Sequence, residues 1–374
     1  MEFTSLYRRY RPRCFADMKG QGHVVAALQN AIRQNRVFHS YLLSGPRGTG
    51  KTSSARIFAK SLNCLKSEKA TTVPCGQCEL CKGISSGNAL DVIEIDAASR
   101  TKVEDTRTLM ENVQYSPSSS RLKVYLIDEV HMLSKSSFNA LLKTLEEPPA
   151  HIKFLLATTD PKKLPITVLS RCLQFNLNKL SHEEILNHLK FIMNEEKLKF
   201  DESALSKIAE FGNGSMRDAV SLLDQSISYG NGSVKEKDIK EMLGLVNHDE
   251  IINLASLIND RNAEEILSFV KDLAHKGENL SNVLRDLTSL FHQISLAQII
   301  QDKTQISPDI AKLASSFSSQ DLQLYYQIAI NGQRDMHLSP SEQIGLEMTL
   351  LRMITFHPDY EEVEKKNLNL SPTK

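Results

Sequence analysis

The amino-acid sequence predicts an α/β protein with a parallel sheet flanked by helices, followed by a helical region and, from about residue 247, a region that is helical throughout. Over residues 1–180, short apolar segments alternate with segments of helical periodicity, a pattern typical of strand–helix–strand units. From residue 181 onward, helical periodicity replaces this alternation. The apolar segments give five candidate strands at residues 41–44, 92–96, 124–128, 154–158 and 172–175.

A glycine-rich segment follows the first of these strands. It reads Gly45-Pro46-Arg47-Gly48-Thr49-Gly50-Lys51-Thr52 and fits the phosphate-loop pattern at every constrained position. Residues 53–62 behind it have helical spacing, so strand, loop and helix follow one another as the motif requires. In such a loop, backbone N–H groups surround phosphate oxygens, Lys51 reaches the outer phosphates, and the Thr52 hydroxyl ligates Mg²⁺. A turn that binds nothing would not need Lys-Thr after its last glycine, so we predict a nucleoside triphosphate site.

Another candidate strand, at residues 124–128, ends in two acidic residues, Asp128 and Glu129. This segment looks like a Walker B motif, in which Asp128 would complete the Mg²⁺ shell and Glu129 would polarise the attacking water. Two acids after an apolar run often do no more than end a strand. Their occurrence in one chain with a phosphate loop favours ATP hydrolysis.

Composition and charge set bounds on the other functions. The chain has 374 residues, of which 41% are hydrophobic, so two or three domains with sizeable cores are expected. It has no apolar leader and no apolar run of bilayer length, which predicts a cytoplasmic protein. The net charge is zero, but residues 1–180 carry 26 Lys and Arg against 15 Asp and Glu, and residues 181–374 carry 19 against 30. The basic first part suggests nucleic acid as a partner and the acidic remainder suggests protein contacts, unless these charges are simply solvated.

Four of the six cysteines form a cluster, namely Cys64, Cys75, Cys78 and Cys81. Disulfides are not expected in a cytoplasmic chain, and four thiolates at this spacing suit a structural Zn²⁺ site with no open position for a catalytic water. An iron–sulfur cluster is the alternative, although nothing else in the sequence indicates electron transfer. Cys14 and Cys172 are interpreted as isolated thiols.

Several helices can be predicted in more detail. Residues 136–147 have the spacing of an amphipathic helix that stops before two prolines. Ser181 and Glu184 form a capping-box pattern at the start of a helix that extends through Met193. Residues 344–356 are apolar around more than one face, so we expect this helix to be buried within its domain or against another subunit. The polar residues 361–374 are expected to be disordered.

Taken in order, these motifs resemble the gamma/tau subunit of bacterial DNA polymerase III. The resemblance rests on the phosphate loop, on the cysteines after its helix, and on residues 96–107, 128–133, 139–149, 157–161 and 347–352, so it covers nearly the whole chain. It implies an AAA+ phosphate-loop ATPase with one structural Zn²⁺ per chain. The implied domains are a nucleotide-binding module with a zinc insert at 64–81 (residues 1–180), a small helical lid (181–245), an all-α collar for oligomerisation (246–360) and a polar tail (361–374).

The resemblance also assigns roles to residues that spacing alone does not identify. Arg171, in Ser170-Arg171-Cys172, matches an arginine finger that acts in the ATP site of a neighbouring subunit. Thr159 matches the sensor-1 residue, and Arg217 matches the sensor-2 arginine of the lid, which contacts the γ-phosphate. Residues 10–12, Tyr-Arg-Pro, resemble the segment that lines the adenine pocket.

The family is the motor of the sliding-clamp loader, which opens the clamp and places it on primed DNA during chromosomal replication. The implied partners are the other loader subunits and copies of this chain in a five-subunit ring, the sliding clamp and primed DNA. Single-strand-binding protein would be an indirect partner, and no membrane is implied. Arg100 and Lys102 are candidate contacts to DNA phosphates. The sequence contains no polymerase or exonuclease site, so a DNA-directed DNA polymerase (nucleotidyltransferase) activity would belong to the complex. The chain ends soon after its third domain, so we expect the short gamma form, without the extension that binds polymerase and helicase.

Two other functions remain open at this point. One is a clamp-loader scaffold that binds ATP or DNA without hydrolysis, and the other is a different AAA+ DNA remodeller, such as a Holliday-junction motor. The scaffold is disfavoured because the chain retains the full set of residues expected for hydrolysis: Lys51, Thr52, Asp128, Glu129 and Arg171. The other remodeller is disfavoured by the cysteine cluster and by the C-terminal helical domain.

Overall fold

A computed structural model of the chain describes residues 5–99, 112–244, 248–299 and 307–356. It divides into two compact units, Met1–Ile239 and Lys240–Lys374. Three sequence predictions, which concern Arg100, Lys102 and the tail at 361–374, lie outside the described residues. Within the described ranges, no helix combines the length and the apolar character needed to cross a membrane.

The first unit is built on a five-stranded parallel sheet, which confirms the predicted fold class. Its strands are β1 (Ser40–Ser44), β2 (Val92–Asp96), β3 (Lys123–Asp128), β4 (Ile152–Thr158) and β5 (Leu173–Asn176). All five predicted strands are present, and the observed bounds differ from the predicted ones by at most two residues. The spatial order is β2-β3-β4-β1-β5, so β4 lies between β1 and β3.

Helices cover both faces of this sheet because side chains along each strand alternate between two apolar cores. In β1, Leu42 packs in one core with Phe138 and Leu141 of the helix after β3. Tyr41 and Leu43 pack in the other core, which includes the helices before and after β1. The central strands β1 and β3 are buried over nearly their whole length, as expected for a parallel sheet with two covered faces.

The helices of the first unit follow in chain order. They are α1 (Leu6–Arg9), α2 (Gly22–Arg33), α3 (Lys51–Asn63), α4 (Glu79–Ser86), α5 (Lys135–Glu146), α6 (Ile166–Leu169), α7 (His182–Glu195), α8 (Glu202–Phe211), α9 (Met216–Tyr229) and α10 (Glu236–Met242), the last of which contains the division between the units. Short 3₁₀ turns occupy Phe15–Asp17, Asn112–Gln114, Val130–Met132 and Pro161–Lys163. The capping box predicted for Ser181 and Glu184 is present at the start of α7.

The region from residue 181 to about 245, predicted as a helical lid, also contains two short parallel strands that the sequence did not predict. They are β6 (Lys199–Phe200) and β7 (Ser233–Val234). Each strand has two residues, which is too short to produce a periodic signal in the sequence. The pair brings the segments that follow α7 and α9 together, and Val234 is fully buried there.

The second unit is helical in its described part. Its helices are α11 (His248–Asn259), α12 (Ala263–His275), α13 (Leu280–Ile299), α14 (Pro308–Ser316), α15 (Ser319–Asp335) and α16 (Glu342–Thr355), with a 3₁₀ turn at Met336–Leu338. They enclose one apolar core around Phe291, Phe317 and Tyr325. The predicted helix at 344–356 is α16, and it buries Leu346, Leu350 and Met353.

The expectation that α16 is buried on all its apolar faces is only partly met within the chain. Ile344 and Met348 remain 44% and 46% exposed. Isolated exposed apolar residues are common on protein surfaces, so this pattern alone identifies no partner.

A buried carboxylate fixes the chain segment that leads into β3. Asp91, which is 3% exposed, accepts hydrogen bonds from the backbone N–H groups of Ser118, Ser119 and Ser120 at 2.7–2.8 Å. Burial by itself would raise the pKa of Asp91, but these N–H donors outweigh burial and hold the pKa below its ordinary value. The ionised form of Asp91 therefore stabilises the fold.

We predict that Asp91→Asn lowers the free energy of unfolding by about 1–3 kcal/mol, because it removes charge-assisted hydrogen bonds and turns an amide group toward N–H donors. The stabilisation exists above the unfolded-state pKa and is lost as pH falls through the lower folded-state pKa. The difference from wild type should thus be constant near neutral pH and shrink below about pH 4. Urea denaturation followed by circular dichroism at several pH values measures it.

The control for this experiment is Asp260→Asn, which removes the charge of an exposed aspartate. Its effect should stay within about 0.5 kcal/mol at all pH values. Equal effects of the two substitutions would contradict a specific role for Asp91.

Candidate functional site

The predicted phosphate-loop residues, the two acids and Thr159 lie at the carboxyl ends of three neighbouring parallel strands. β1 leads into the glycine-rich loop, β3 ends at Asp128, and β4 lies between them. Ser44 pairs with Thr158, and Ile127 pairs with Leu156, so all three strands end at the same edge of the sheet. In open α/β sheets, ligands bind at this edge.

Two positions of the glycine-rich loop accept only glycine, because the backbone there is left-handed or because neighbouring atoms lie too close for a Cβ atom. Gly45 has φ +143° and Gly48 has φ +74°. A Cβ atom on Gly45 would lie 2.3 Å from the carbonyl oxygen of Leu177, and one on Gly48 would lie 1.8 Å from Ser215 Oγ. The loop therefore packs directly against the start of α9, and its last glycine, Gly50, is the N-cap of α3. This places the N-terminus of a 13-residue helix at the loop, which is the arrangement that binds phosphate groups.

The Lys51 side chain is held inside the loop. It is 6% exposed, and its Nζ donates to the carbonyl oxygens of Gly45 and Pro46, each at 2.8 Å. Burial lowers the pKa of Lys51, and the nearby carboxylates of Glu129 and Asp128 oppose that shift. The ammonium group thus lies against the backbone of the glycine-rich loop.

Two oxygen groups suited to Mg²⁺ meet beside the loop. Thr52 Oγ1 donates to Asp128 Oδ2 at 2.6 Å, although the two residues are 76 positions apart in sequence. The other carboxylate oxygen, Asp128 Oδ1, accepts from the Glu129 backbone N–H at 3.0 Å. Hydroxyl and carboxylate oxygens are the ligands that Mg²⁺ takes in nucleotide sites, so these groups fit that ion.

The second acid, Glu129, contacts the predicted sensor-1 residue. Its Oε2 accepts from the Thr159 backbone N–H at 3.1 Å and from Thr159 Oγ1 at 2.8 Å. Glu129 also has a left-handed backbone, with φ 48° and ψ 45°, which is uncommon for a residue other than glycine. Strained backbone of this kind is concentrated at functional sites.

A cavity of about 820 Å³ opens in front of these groups. Its lining comes from the glycine-rich loop, Asp128 and Glu129, from residues 7, 8 and 10–12 near the N-terminus, and from α9, which contributes Met216 and Arg217. The Arg217 guanidinium carbon lies 5.3 Å from the centre of the Tyr7 ring, in cation–π contact. The structure thereby brings Lys51, Thr52, Asp128, Glu129 and Arg217 to one cavity.

The N-terminal segment at this cavity is attached to both of its sides. The Leu6 backbone N–H donates to Asp224 on α9 at 3.0 Å, and Tyr10 Oη donates to Glu196 at 2.6 Å. Burial, aided by Glu196, raises the pKa of Tyr10 to about 12. On the other side, Arg11 Nε donates to Ser53 Oγ at 3.1 Å, next to the glycine-rich loop.

The predicted arginine finger, Arg171, does not line this cavity. It follows α6, and its guanidinium donates to the Glu146 carboxylate at 2.8 Å and to the Thr167 carbonyl oxygen at 2.7 Å. Its backbone carbonyl accepts from Ser40 Oγ. Within one copy of the chain, Arg171 is therefore paired with Glu146 at a position away from the cavity.

The four clustered cysteines form a compact thiol site, as their spacing predicts. The four Sγ atoms of Cys64, Cys75, Cys78 and Cys81 all lie within 4.8 Å of one another. Tetrahedral Zn²⁺ with four thiolates places its sulfur atoms about 3.8 Å apart, so the geometry fits a structural metal of that type. Backbone N–H groups point at the sulfur atoms, and those of Gln77 and Cys78 lower the pKa of Cys75 to about 6. Cys14 and Cys172 are free and lie outside the cluster.

The sequence did not identify Arg121, which joins the cysteine segment to the sheet. Its guanidinium donates to the carbonyl oxygens of Leu62, Cys64 and Ser67, where α3 ends and the cysteine segment begins. Tyr7 and Glu146 were not identified as site residues either. The partners of all three residues lie far away in the sequence, so local spacing does not indicate these contacts.

Three family models match successive parts of the chain. The DNA polymerase III delta subunit model matches residues 20–181. The ATPase lid domain model of the DNA polymerase III clamp loader subunit matches residues 184–232, and the model of domain III of DNA polymerase III subunits gamma and tau matches residues 234–365.

A solved structure, the Holliday junction branch migration motor RuvB of Thermotoga maritima, covers 67% of this chain and 79% of its own at 19% identity, with a TM-score of 0.47.

Curated proteins match over almost the full length of the chain. The identity is 47% to DNA polymerase III subunit tau/gamma of Haemophilus influenzae, over 100% of this chain and 54% of that protein. It is 48% to subunit tau of Escherichia coli, over 96% and 56%. The chain thus spans about half the length of these two relatives. Subunit gamma of Buchnera aphidicola subsp. Acyrthosiphon pisum is 44% identical over 95% of this chain and 99% of its own length. The chain belongs to the family of DNA polymerase III gamma and tau subunits.

Proposed function

We propose that this chain is an ATP-hydrolysing motor subunit of a DNA polymerase III clamp loader. The observation that carries the proposal is the meeting of the loop residues Lys51 and Thr52 with Asp128 and Glu129 at one edge of the sheet, facing a cavity of about 820 Å³. Membership in the gamma and tau family supports the proposal that the chain acts in a clamp loader. The chain would act in the cytoplasm, as a subunit of the polymerase holoenzyme without a polymerase site of its own.

Each residue of the site has a distinct task in this proposal. The loop N–H groups and Lys51 bind the β- and γ-phosphates of ATP, and Thr52 and Asp128 hold Mg²⁺, which neutralises charge on the phosphates. Glu129 orients the attacking water. Phosphoryl transfer depends on positioning and charge neutralisation more than on covalent chemistry, so these residues are the minimal set that one chain must supply.

The remaining site residues would make hydrolysis depend on conformation and assembly. Arg217 of α9 contacts the γ-phosphate and so links ATP to the lid, at residues 181–245. Thr159 contacts Glu129 and serves as sensor 1. Arg171 acts in the ATP site of the neighbouring subunit, which agrees with its place away from the cavity of its own chain. In this arrangement hydrolysis requires an adjacent copy or partner.

The proposed cycle is a population shift driven by ATP. ATP contacts both the glycine-rich loop and the lid, so it favours the conformation in which neighbouring modules form a spiral around the clamp and primed DNA. Hydrolysis removes that preference and releases both. Residues 246–360 would hold the subunits of a five-membered ring together, as a collar.

The cysteine cluster would hold one structural Zn²⁺. Cys64, Cys75, Cys78 and Cys81 supply four thiolates and leave no open coordination position for catalysis. Bound there, the ion would cross-link the segment that follows α3.

We predict that hydrolysis requires assembly. With the chain reconstituted with other loader subunits, sliding clamp and primed DNA together should raise the ATPase rate well above that of the chain alone. Lys51→Ala should abolish this rate because it removes a phosphate contact. A negligible rate in the full complex would favour a scaffold, and branch migration of four-way junctions without any clamp would favour a different AAA+ remodeller.

We predict that Arg171→Ala lowers ATP hydrolysis by the assembled complex about 1,000-fold or more, because it removes a transition-state cation supplied in trans. ATP affinity of the isolated chain should stay within about twofold, since the residue does not contact its own site. Steady-state ATPase assays and nucleotide titration measure these two quantities. Arg36→Ala, at an exposed arginine, is the control. Unchanged turnover of the Arg171→Ala complex would rule out the trans role.

We predict that the purified protein contains about one zinc per chain. Cys78→Ser should remove most of the metal and lower the melting temperature, because the remaining thiolates no longer complete a tetrahedral site. Cys14→Ser, outside the cluster, should change neither quantity. Elemental analysis and thermal melting measure the two effects, and a metal-free protein with full stability would contradict the assignment.

A further inference from the structure

His131 lies two residues after Glu129, in the 3₁₀ turn Val130–Met132 that follows β3. Its side chain is 9% exposed. The Nδ1 atom lies 2.9 Å from Thr158 Oγ1, at the end of β4, and 3.4 Å from Glu129 Oε2. The imidazole therefore contacts both the carboxylate that would orient water and the neighbouring strand.

The surroundings of Nδ1 indicate which nitrogen carries the proton. A lone pair on Nδ1 would face the negative Glu129 carboxylate and be repelled, whereas an N–H bond would be attracted. Thr158 Oγ1 accepts from the Asp160 backbone N–H at 3.1 Å and keeps a second lone pair that can accept from Nδ1. The Glu129 carboxylate thus favours a proton on Nδ1, because the hydrogen bond made by one nitrogen sets the tautomer of the ring.

His131 then approaches the same carboxylate oxygen as Thr159 does. Thr159 donates its backbone N–H and its hydroxyl to Glu129 Oε2, and His131 Nδ1 faces that atom from the segment after β3. None of these contacts uses Oε1. With Oε2 held from two chain segments, Oε1 stays available to accept a hydrogen bond from a water in front of the γ-phosphate.

The backbone of Glu129 explains why the carboxylate needs such support. Its left-handed conformation directs the side chain toward β4, but it is a costly conformation for a residue with a Cβ atom. Strained conformations persist where surrounding contacts hold them in place. The contacts to Thr159 and His131 are of this kind.

We propose that His131 is a positioning residue for hydrolysis, which holds Glu129 through a proton on Nδ1. The inference rests on the proposed function, since it assigns to Glu129 the task of orienting water. His131 itself does not line the nucleotide cavity, so its effect should appear in turnover and not in ATP binding.

Two substitutions distinguish this role from a purely structural one. In His131→Asn, the side-chain amide nitrogen takes the place of Nδ1, at the same number of bonds from the backbone. In His131→Gln, the amide lies one carbon farther out, nearer the place of Nε2. Gln is closer to His in volume than Asn is, so a residue needed only for packing would tolerate Gln at least as well as Asn.

We expect His131→Gln to lower kcat of the assembled complex about 10- to 100-fold, as a misplaced catalytic group does, with ATP affinity nearly unchanged. His131→Asn should keep kcat within a few fold of wild type. His151→Asn and His151→Gln are the matched controls, because His151 precedes β4 at its opposite end and its Nε2 is buried. The two His151 variants should have similar kcat values.

A spectroscopic measurement tests the tautomer without any assay of activity. In ¹⁵N-histidine-labelled protein, the signals that disappear in His131→Asn belong to His131, and their chemical shifts report which nitrogen is protonated. A proton on Nδ1 is expected. A neutral ring with its proton on Nε2 would overturn the proposal, and so would equal kcat values for His131→Asn and His131→Gln in an active complex. If the wild-type complex itself does not hydrolyse ATP, the proposed function fails, which is a separate result.

Discussion

The parallel register of β1, β4 and β3 is the constraint on which the rest of the site depends. β4 lies between the strand that enters the glycine-rich loop and the strand that ends at Asp128, so the spacing of two strand widths is set by backbone hydrogen bonds. That spacing allows Thr52 to reach Asp128 at 2.6 Å. A slip in register would move Asp128 along the edge and separate these groups.

The same register also brings the end of β4 into contact with the residues that follow β3. Thr158 ends the middle strand and Thr159 follows it, and both interact with residues after β3: Thr158 with His131 and Thr159 with Glu129. Glu129 is therefore held from the side by the end of the strand that lies between β3 and β1. Positional precision at Glu129 is thereby built on regular secondary structure, which is more rigid than a free loop.

The cavity, in contrast, is lined in part by segments that do not belong to the sheet. Gly48 packs against Ser215 at the start of α9, Leu6 binds Asp224 of the same helix, and Arg11 binds Ser53 beside the loop. A ligand that contacts loop and helix together favours the conformation in which both are in place. A bound phosphate would in this way influence the position of α9 and of its Arg217.

Local pattern alone determined the five strands, the phosphate loop, the acidic pair and the cysteine cluster, because each is encoded by neighbouring residues with a fixed period or spacing. Resemblance to a family was needed to select Thr159, Arg171 and Arg217. Only the tertiary structure revealed the Glu129–Thr159 and Arg171–Glu146 contacts, the Tyr7–Arg217 pair and the strands β6 and β7. These depend on strand order and on packing between segments distant in sequence, and neither leaves a periodic signal along the chain.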